Sequence, residues 1–244
     1  MHNDSDMSKR RVLITGAAGR IGTFYRQHVG DRYELRLVDH KPNPDSDGFE
    51  SLVLDLADPD SAQRACAGID TVLHLAADPR TSAEFYQDLL EPNIKGVYNV
   101  FRAAKDQGCQ RVVFASSVNS IRGYPLERQP RTDDPPCPAN VYGATKAFGE
   151  SLGAYFAACE DLSVISVRIG WVGKPGVWNQ PDFWARGVFV SETDLCELLD
   201  LCIETPGIRH AVVHGSSNNH PCWMDLTSTR ELLGYEPKDD AFAW

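Results

Sequence analysis

Tyr142 and Lys146 stand four residues apart in NVYGATKAFGE, residues 140–150. On a helix that spacing puts both side chains on one face, one turn apart. A free tyrosine is only about 0.1% ionised at pH 7. Service as a general base near neutrality requires about 4 kcal/mol of phenolate stabilisation. One ammonium at ~4 Å supplies roughly that much at an effective dielectric near 20. The pair is therefore suited to take a proton from an alcohol. Ser116 and Ser117 close the apolar run RVVFASS (111–117), and a serine hydroxyl there can donate to the oxygen that loses its proton.

A second constellation lies upstream. RVLIT (11–15) runs into TGAAGRIG, a GxxGxxG pattern formed by Gly16, Gly19 and Gly22. It follows a predicted strand and opens a predicted helix, and Asp39 ends the next strand 23 residues after Gly16. Glycines allow the tight turn and close backbone approach, while the helix N-terminus stabilises a pyrophosphate. Together these predict a dinucleotide site. Asp39 selects NAD over NADP, because a carboxylate accepts from both ribose hydroxyls and repels a 2′-phosphate. Arg20 and Lys41 are cations that soften this repulsion. Asp55, in the DLAD turn, reads equally as an acceptor for the adenine amino group and as a turn or N-cap aspartate.

The elements that must position these residues alternate along the chain. Strands are predicted at 11–15, 34–39, 51–56, 70–77, 111–117 and 162–170, with helices at 21–29, 60–67, 83–107 and 140–160. Buried β-branched strands alternating with helices predict an α/β fold, a doubly wound parallel sheet of Rossmann type. Carboxyl ends of such strands converge on one crevice, which brings Ser116 and Ser117 near Tyr142. After Gly170 the texture changes. WVGKPGVWNQPDFWARG (171–187) reads as irregular, followed by a strand (187–191), a helix (192–204) and a strand (209–215). The expected division is an NAD-binding core at 9–170 and a small substrate-covering lobe at 171–244, packed on the same domain.

With 34 acidic and 24 basic residues the net charge is −10, which argues against a nucleic-acid or anionic-membrane partner. Local arginines still leave room for a small anionic substrate. The N-terminus lacks an apolar signal core and there is no run of 18 apolar residues, so a cytoplasmic protein with no membrane span is expected. Seven cysteines without a CxxC pair read as reduced thiols, with no metal site. A homo-oligomer is compatible with the sequence.

TGAAGRIG, Asp39, DL (55–56), HLAA (74–77), Asn93, the paired serines, YGATK and VRIG occur in the order found in the extended short-chain dehydrogenase/reductase superfamily, which the chain resembles over about residues 11–170. The resemblance implies Ser117, Tyr142 and Lys146 as catalytic residues. It implies that NAD is lined by Gly16, Gly19, Arg20, Ile21, Gly22, Asp39, Asp55, Leu56, Leu75, Ala76, Ala77, Asn93, Tyr142, Lys146 and Ile169. Only 98 residues follow Lys146, and a small lobe implies a small substrate.

FASS, YGATKAFGE, VRIG, FVSETD, VVHGSSNN and LLGYEPKD are most similar to uronate dehydrogenases, which oxidise C1 of galacturonate or glucuronate to the lactone with NAD. HLAADPR (74–80) is more similar to NAD-dependent glucose-6-phosphate dehydrogenases of the same type. Val118 and Asn119 replace the Asn-His that follows the serine and touches the sugar in uronate dehydrogenases, and Trp171 replaces a serine. The resemblance implies a sugar site formed by Ser117, Val118, Asn119 and Trp171, with Arg186, Arg80 or Arg122 as the clamp for an anionic group. The expected activity is oxidation of a free hexuronic acid. The alternatives are a hexose 6-phosphate or neutral hexose dehydrogenase, an NAD-dependent sugar epimerase, and a non-catalytic dinucleotide sensor.

Overall fold

Runs of apolar, largely β-branched residues dictate the strands, and in the computed structural model, which describes residues 9–43, 48–176 and 182–243, they lie at the centre of the molecule. Seven of them form one parallel sheet: β1 (Arg11–Thr15), β2 (Glu34–Asp39), β3 (Glu50–Val53), β4 (Thr71–His74), β5 (Arg111–Ser117), β6 (Ser163–Ile169) and β9 (His210–Gly215). Their order is β3-β2-β1-β4-β5-β6-β9. The winding direction reverses between β1 and β4, and this reversal opens a crevice at the carboxyl ends of the strands. Thr15 there pairs with Val38 on one side and His74 on the other.

Helices α1 (Arg20–Val29) and α6 (Glu192–Glu204) contribute Tyr25, Val29, Leu195 and Leu198 to one apolar layer, with Val12, Ile14 and Val167 from the sheet. On the other face, α2 (Pro59–Cys66), α3 (Gly96–Asp106) and α4 (Val141–Cys159) pack Ala62, Val100, Phe101 and Phe156 against Leu13, Val72 and Phe114. Both faces are covered, which is why the strands read as continuous apolar runs. Caps fix the helix starts: Asp58 accepts from Ser61 N–H, Asn140 from Gly143 N–H and Ser191 from Asp194 N–H. By contrast, α1 begins at Gly19 with no side-chain cap, leaving its first amides to another acceptor.

Two local differences from the sequence reading have physical causes. The single helix expected over 83–107 divides at Lys95. Phe85–Lys95 is wound in wider turns, with Leu89 N–H bonding to Glu84 C=O and Gly96 N–H to Glu91 C=O. Pro92, which has no N–H, interrupts ordinary helical bonding there. Within the stretch expected to be irregular, Trp171–Gly173 forms β7, which pairs in parallel with β8 (Phe189–Ser191). Short α5 (Phe183–Gly187) joins this unit, while residues 177–181 lie outside the described residues.

The chain after Gly170 contributes to both regions. α6 and β9 complete the central sheet and its cover, with Ser166 of β6 opposite Val212 of β9. α7 (Thr227–Leu233) lies against α6 and β9 and adds Leu233 to their apolar layer, while Val118, Ile121, Trp184, Val188, Trp223 and Met224 form a separate cluster above the strand ends. Asp194, fully buried on α6, anchors the carboxyl-terminal region. Its carboxylate accepts from Ser217 Oγ–H at 2.5 Å and from the Lys238 and Asp239 amides at 2.9 and 3.1 Å. Among the described residues no helix is long and apolar enough to cross a membrane.

Candidate active site

The crevice at the strand ends is a cleft of about 1090 Å³. Its floor is the glycine turn. Gly16 has φ of +67°, and a Cβ there would lie 2.8 Å from the Ala76 nitrogen; a Cβ on Gly22 would lie 2.7 Å from Ala17 Cα. Only glycines let the turn nest this closely against the end of β4. Thr15 fastens the same junction: its Oγ1 accepts from the Leu75 and Ala76 amides, both at 3.2 Å, and meets His74 Nδ1 at 2.7 Å. Burial, reinforced by the nearby Lys146 ammonium, pushes the His74 pKa down to about 3.

Asp39 closes the far end of the cleft. One carboxylate oxygen accepts from Ala18 N–H at 3.0 Å and the other from Lys41 N–H at 3.3 Å. His40 Nδ1 lies 3.0 Å from the latter oxygen. The uncapped start of α1, the glycine floor and this oriented carboxylate fit the pyrophosphate and adenosine ribose of NAD. Arg20, Ile21, Gly19, Asp55, Leu56, Leu75, Ala76, Ala77 and Ile169 line the same cleft. Arg20 spans it, donating to the Val172 carbonyl and pairing with Glu192. Asp55 holds its own turn by accepting from Ala57 N–H. Asn93 stands behind the wall, bonded to the backbone of Asp78 and to Thr145.

Ser117, Tyr142 and Lys146 meet at the other end of the cleft. β5 delivers Ser117 at its last residue and α4 delivers the other two from its first turns. Close approach of α4 depends on Gly143, where a Cβ would fall 2.2 Å from the Asn119 carbonyl oxygen. Lys146 Nζ donates to the Ala115 carbonyl at 2.9 Å and lies 5.7 Å from the Tyr142 ring centroid. Burial pushes its pKa down to about 8. Tyr142 is pushed up to about 12, chiefly by burial and further by Asp78, against an opposing hydrogen bond with Ser117. The expectation that Lys146 alone brings Tyr142 near neutrality is thus corrected. The ammonium is drawn to a carbonyl instead of the phenol, and desolvation penalises both charged forms.

Beneath this triad lies a buried charge cluster that the sequence reading did not identify. Glu150, on α4 four residues after Lys146, accepts from Ser116 at 2.5 Å and Ser120 at 2.9 Å, the hydroxyls flanking Ser117. Arg168 of β6 meets it through two bonds of 3.0 and 2.8 Å. Its spacing from Tyr142 and Lys146 placed Glu150 on the helix, but nothing in the sequence indicated its partners.

The expected sugar-binding residues do not converge as a group. Arg80 lies on the cleft wall, where Asp78 and Asp88 hold its guanidinium. Val118 is fully buried in the apolar cluster of the carboxyl-terminal region. Asn119 turns its amide towards Ser117 and Asn140. Trp171 packs edge-on against Trp184. Arg122 stacks 3.9 Å over Trp184, and Arg186 contacts the Ala241 carbonyl and the Phe242 ring. Of these residues only Ser117 and Arg80 line the described cleft, together with Asp78, Pro79, Glu91 and Pro92, which were not anticipated.

The family model described as "NAD dependent epimerase/dehydratase family" matches residues 12–189. The chain is similar to an NAD-dependent glucose-6-phosphate dehydrogenase of Haloferax volcanii, 36% identical over 94% of each chain. It is also similar to a uronate dehydrogenase of Pseudomonas putida, 32% identical over 95% of this chain and 85% of the relative. Among solved structures, a uronate dehydrogenase variant from Agrobacterium tumefaciens complexed with NAD superposes with a TM-score of 0.87. That match has 32% identity and covers 96% of this chain and 86% of the other.

Proposed function

The chain belongs to the NAD-dependent epimerase/dehydratase family, and from that premise we propose that it oxidises the C1 hydroxyl of a free hexuronic acid, galacturonate or glucuronate, to the lactone. The observation that carries this reading is the convergence of Ser117, Tyr142 and Lys146 on one cleft with the glycine turn and Asp39. Ser117 donates to the sugar O1, and Tyr142 takes the hydroxyl proton as the C1–O bond gains double-bond character. Lys146, anchored at the Ala115 carbonyl, keeps its positive charge 5.7 Å from the Tyr142 ring without bonding the phenol, and holds the ribose. NAD, when bound, supplies the acceptor for the hydride leaving C1 and, in its oxidised form, a positive charge that favours the phenolate. The uronate assignment is supported by similarity to the uronate dehydrogenases.

A second reading, oxidation of a hexose 6-phosphate, is favoured by the Haloferax relative. The test is NADH formation from galacturonate, glucuronate, glucose 6-phosphate and neutral hexoses, followed by absorbance. Turnover is expected with a uronate. Turnover confined to glucose 6-phosphate transfers the assignment to the second reading. Sugar interconversion without net NADH would replace both with an epimerase.

A further inference from the structure

Ser117 Oγ accepts two hydrogen bonds from one residue: Asn119 N–H at 3.1 Å and Asn119 Nδ2–H at 3.2 Å. A hydroxyl has two acceptor lone pairs and one proton, so only donation remains open to Ser117. The polarity of the Asn119 amide is in turn dictated from farther away. Gly143 N–H, which can only donate, bonds Asn140 Oδ1 at 2.7 Å. That contact turns Asn140 Nδ2 outward, where it donates to Asn119 Oδ1 at 3.0 Å. Asn119 must then present its Nδ2 to the serine. Each link fixes the direction of the next, and aligned amide dipoles strengthen one another.

We infer that Asn119 and Asn140 are positioning residues, forming a one-way hydrogen-bond relay from the α4 amino terminus that aims the Ser117 proton at the reacting oxygen. This inference rests on the Ser117–Tyr142–Lys146 reading and adds to it the element that sets the serine's direction. Asn119 thus acts through Ser117, which separates it from a sugar contact. The relay leaves Ser117 one proton to give, to Tyr142 before substrate binds and to the sugar oxygen once it arrives. It also couples the helix bearing Tyr142 to the turn bearing Ser117 independently of Glu150.

Asn140→Asp tests the relay without removing the cap, since Asp and Asn cap helices about equally well. Aspartate accepts from Gly143 but cannot donate to Asn119. The Asn119 amide then reverses, presents Oδ1 to Ser117 and draws the serine proton away from the substrate. On whichever sugar supports NADH formation, Asn140→Asp should lower kcat about tenfold and move the rising limb of the pH profile to higher pH. KM values for sugar and NAD should stay within about twofold of the parent protein, with the unfolding midpoint unchanged.

Asn119→Ala controls for the added charge. In that background Asn140→Asp should add little, because its effect travels through Asn119. A silent Asn140→Asp, an effect that persists in full beside Asn119→Ala, or a change confined to sugar KM each overturns the relay. Tyr142→Phe, run in parallel, separates the two levels. An active Tyr142→Phe removes the underlying triad, whereas an inactive Tyr142→Phe beside a normal Asn140→Asp removes the relay alone.

Discussion

Glu150 and Arg168 form an ion pair of 2.8 Å with side chains only 5% and 2% exposed, and its carboxylate also holds the two hydroxyls on either side of Ser117. The geometry of the turn that carries Ser117 is therefore set from below by one buried charge. Glu150→Gln leaves the Arg168 charge uncompensated and should cost about 3–5 kcal/mol of stability, measured by urea unfolding. Replacing both residues, Glu150→Leu with Arg168→Met, should recover most of that stability. Turnover should stay low in the double variant, because Ser116 and Ser120 have lost their acceptor.

Tyr142 must be deprotonated to take a proton, and burial holds it up at about 12 while Lys146 is held down at about 8. The oxidation rate should accordingly climb with pH through neutrality. The climb should flatten as Lys146 loses its charge. Tyr142→Phe should reduce turnover by about 10²-fold or more and flatten the profile, with NAD binding by fluorescence nearly intact. Retained activity in this variant would sink the catalytic assignment.

Cofactor choice is expected to follow Asp39. Asp39→Asn keeps an acceptor for Ala18 N–H while removing the charge that repels a 2′-phosphate. Its ratio of kcat/KM for NADP over NAD should rise about tenfold or more, aided by Arg20 and Lys41 on the same cleft. An unchanged ratio would show that another group makes the selection.

Stability should fall on acidification, and two histidines give the window. Burial pushes His74 down to about 3 and His214 down to about 4, the latter with help from Arg168. Both are neutral in the folded state, whereas the unfolded chain protonates them below about 6.5. Their contribution is present above that pH and is lost as pH falls towards the folded values. At pH 5 the loss is roughly 2 kcal/mol per histidine. Urea midpoints at pH 7 and pH 5 should show it, and His214→Gln should shallow the difference.

Much of the fold was legible because its signals are local. The apolar runs at 11–15, 34–39 and 111–117 coincide with β1, β2 and β5, and the glycine turn and the Tyr142–Lys146 spacing announced their own chemistry. What escaped detection depends on partners distant in sequence. β7 exists because Trp171–Gly173 finds Phe189–Ser191. The resemblance puts Val118 at a position that touches the sugar in uronate dehydrogenases, whereas its side chain turns into a cluster completed by Trp184, Trp223 and Met224. The Lys146 expectation treated distance alone and omitted desolvation, which only the packed interior reveals. Nothing in the sequence indicated that Asn140, which caps α4, joins Asn119 through its other amide atom.

The buried Asp194 carboxylate has a consequence for biosynthesis. Two of its three donors outside α6 are the amides of Lys238 and Asp239, more than 40 residues farther along the chain. During vectorial synthesis α6 emerges well before them, and a carboxylate without its donors resists burial. The layer formed by β1–β6 can assemble while the ribosome is still elongating the chain. Final seating of α6 and the carboxyl-terminal region must wait until residues 238 and 239 clear the exit tunnel.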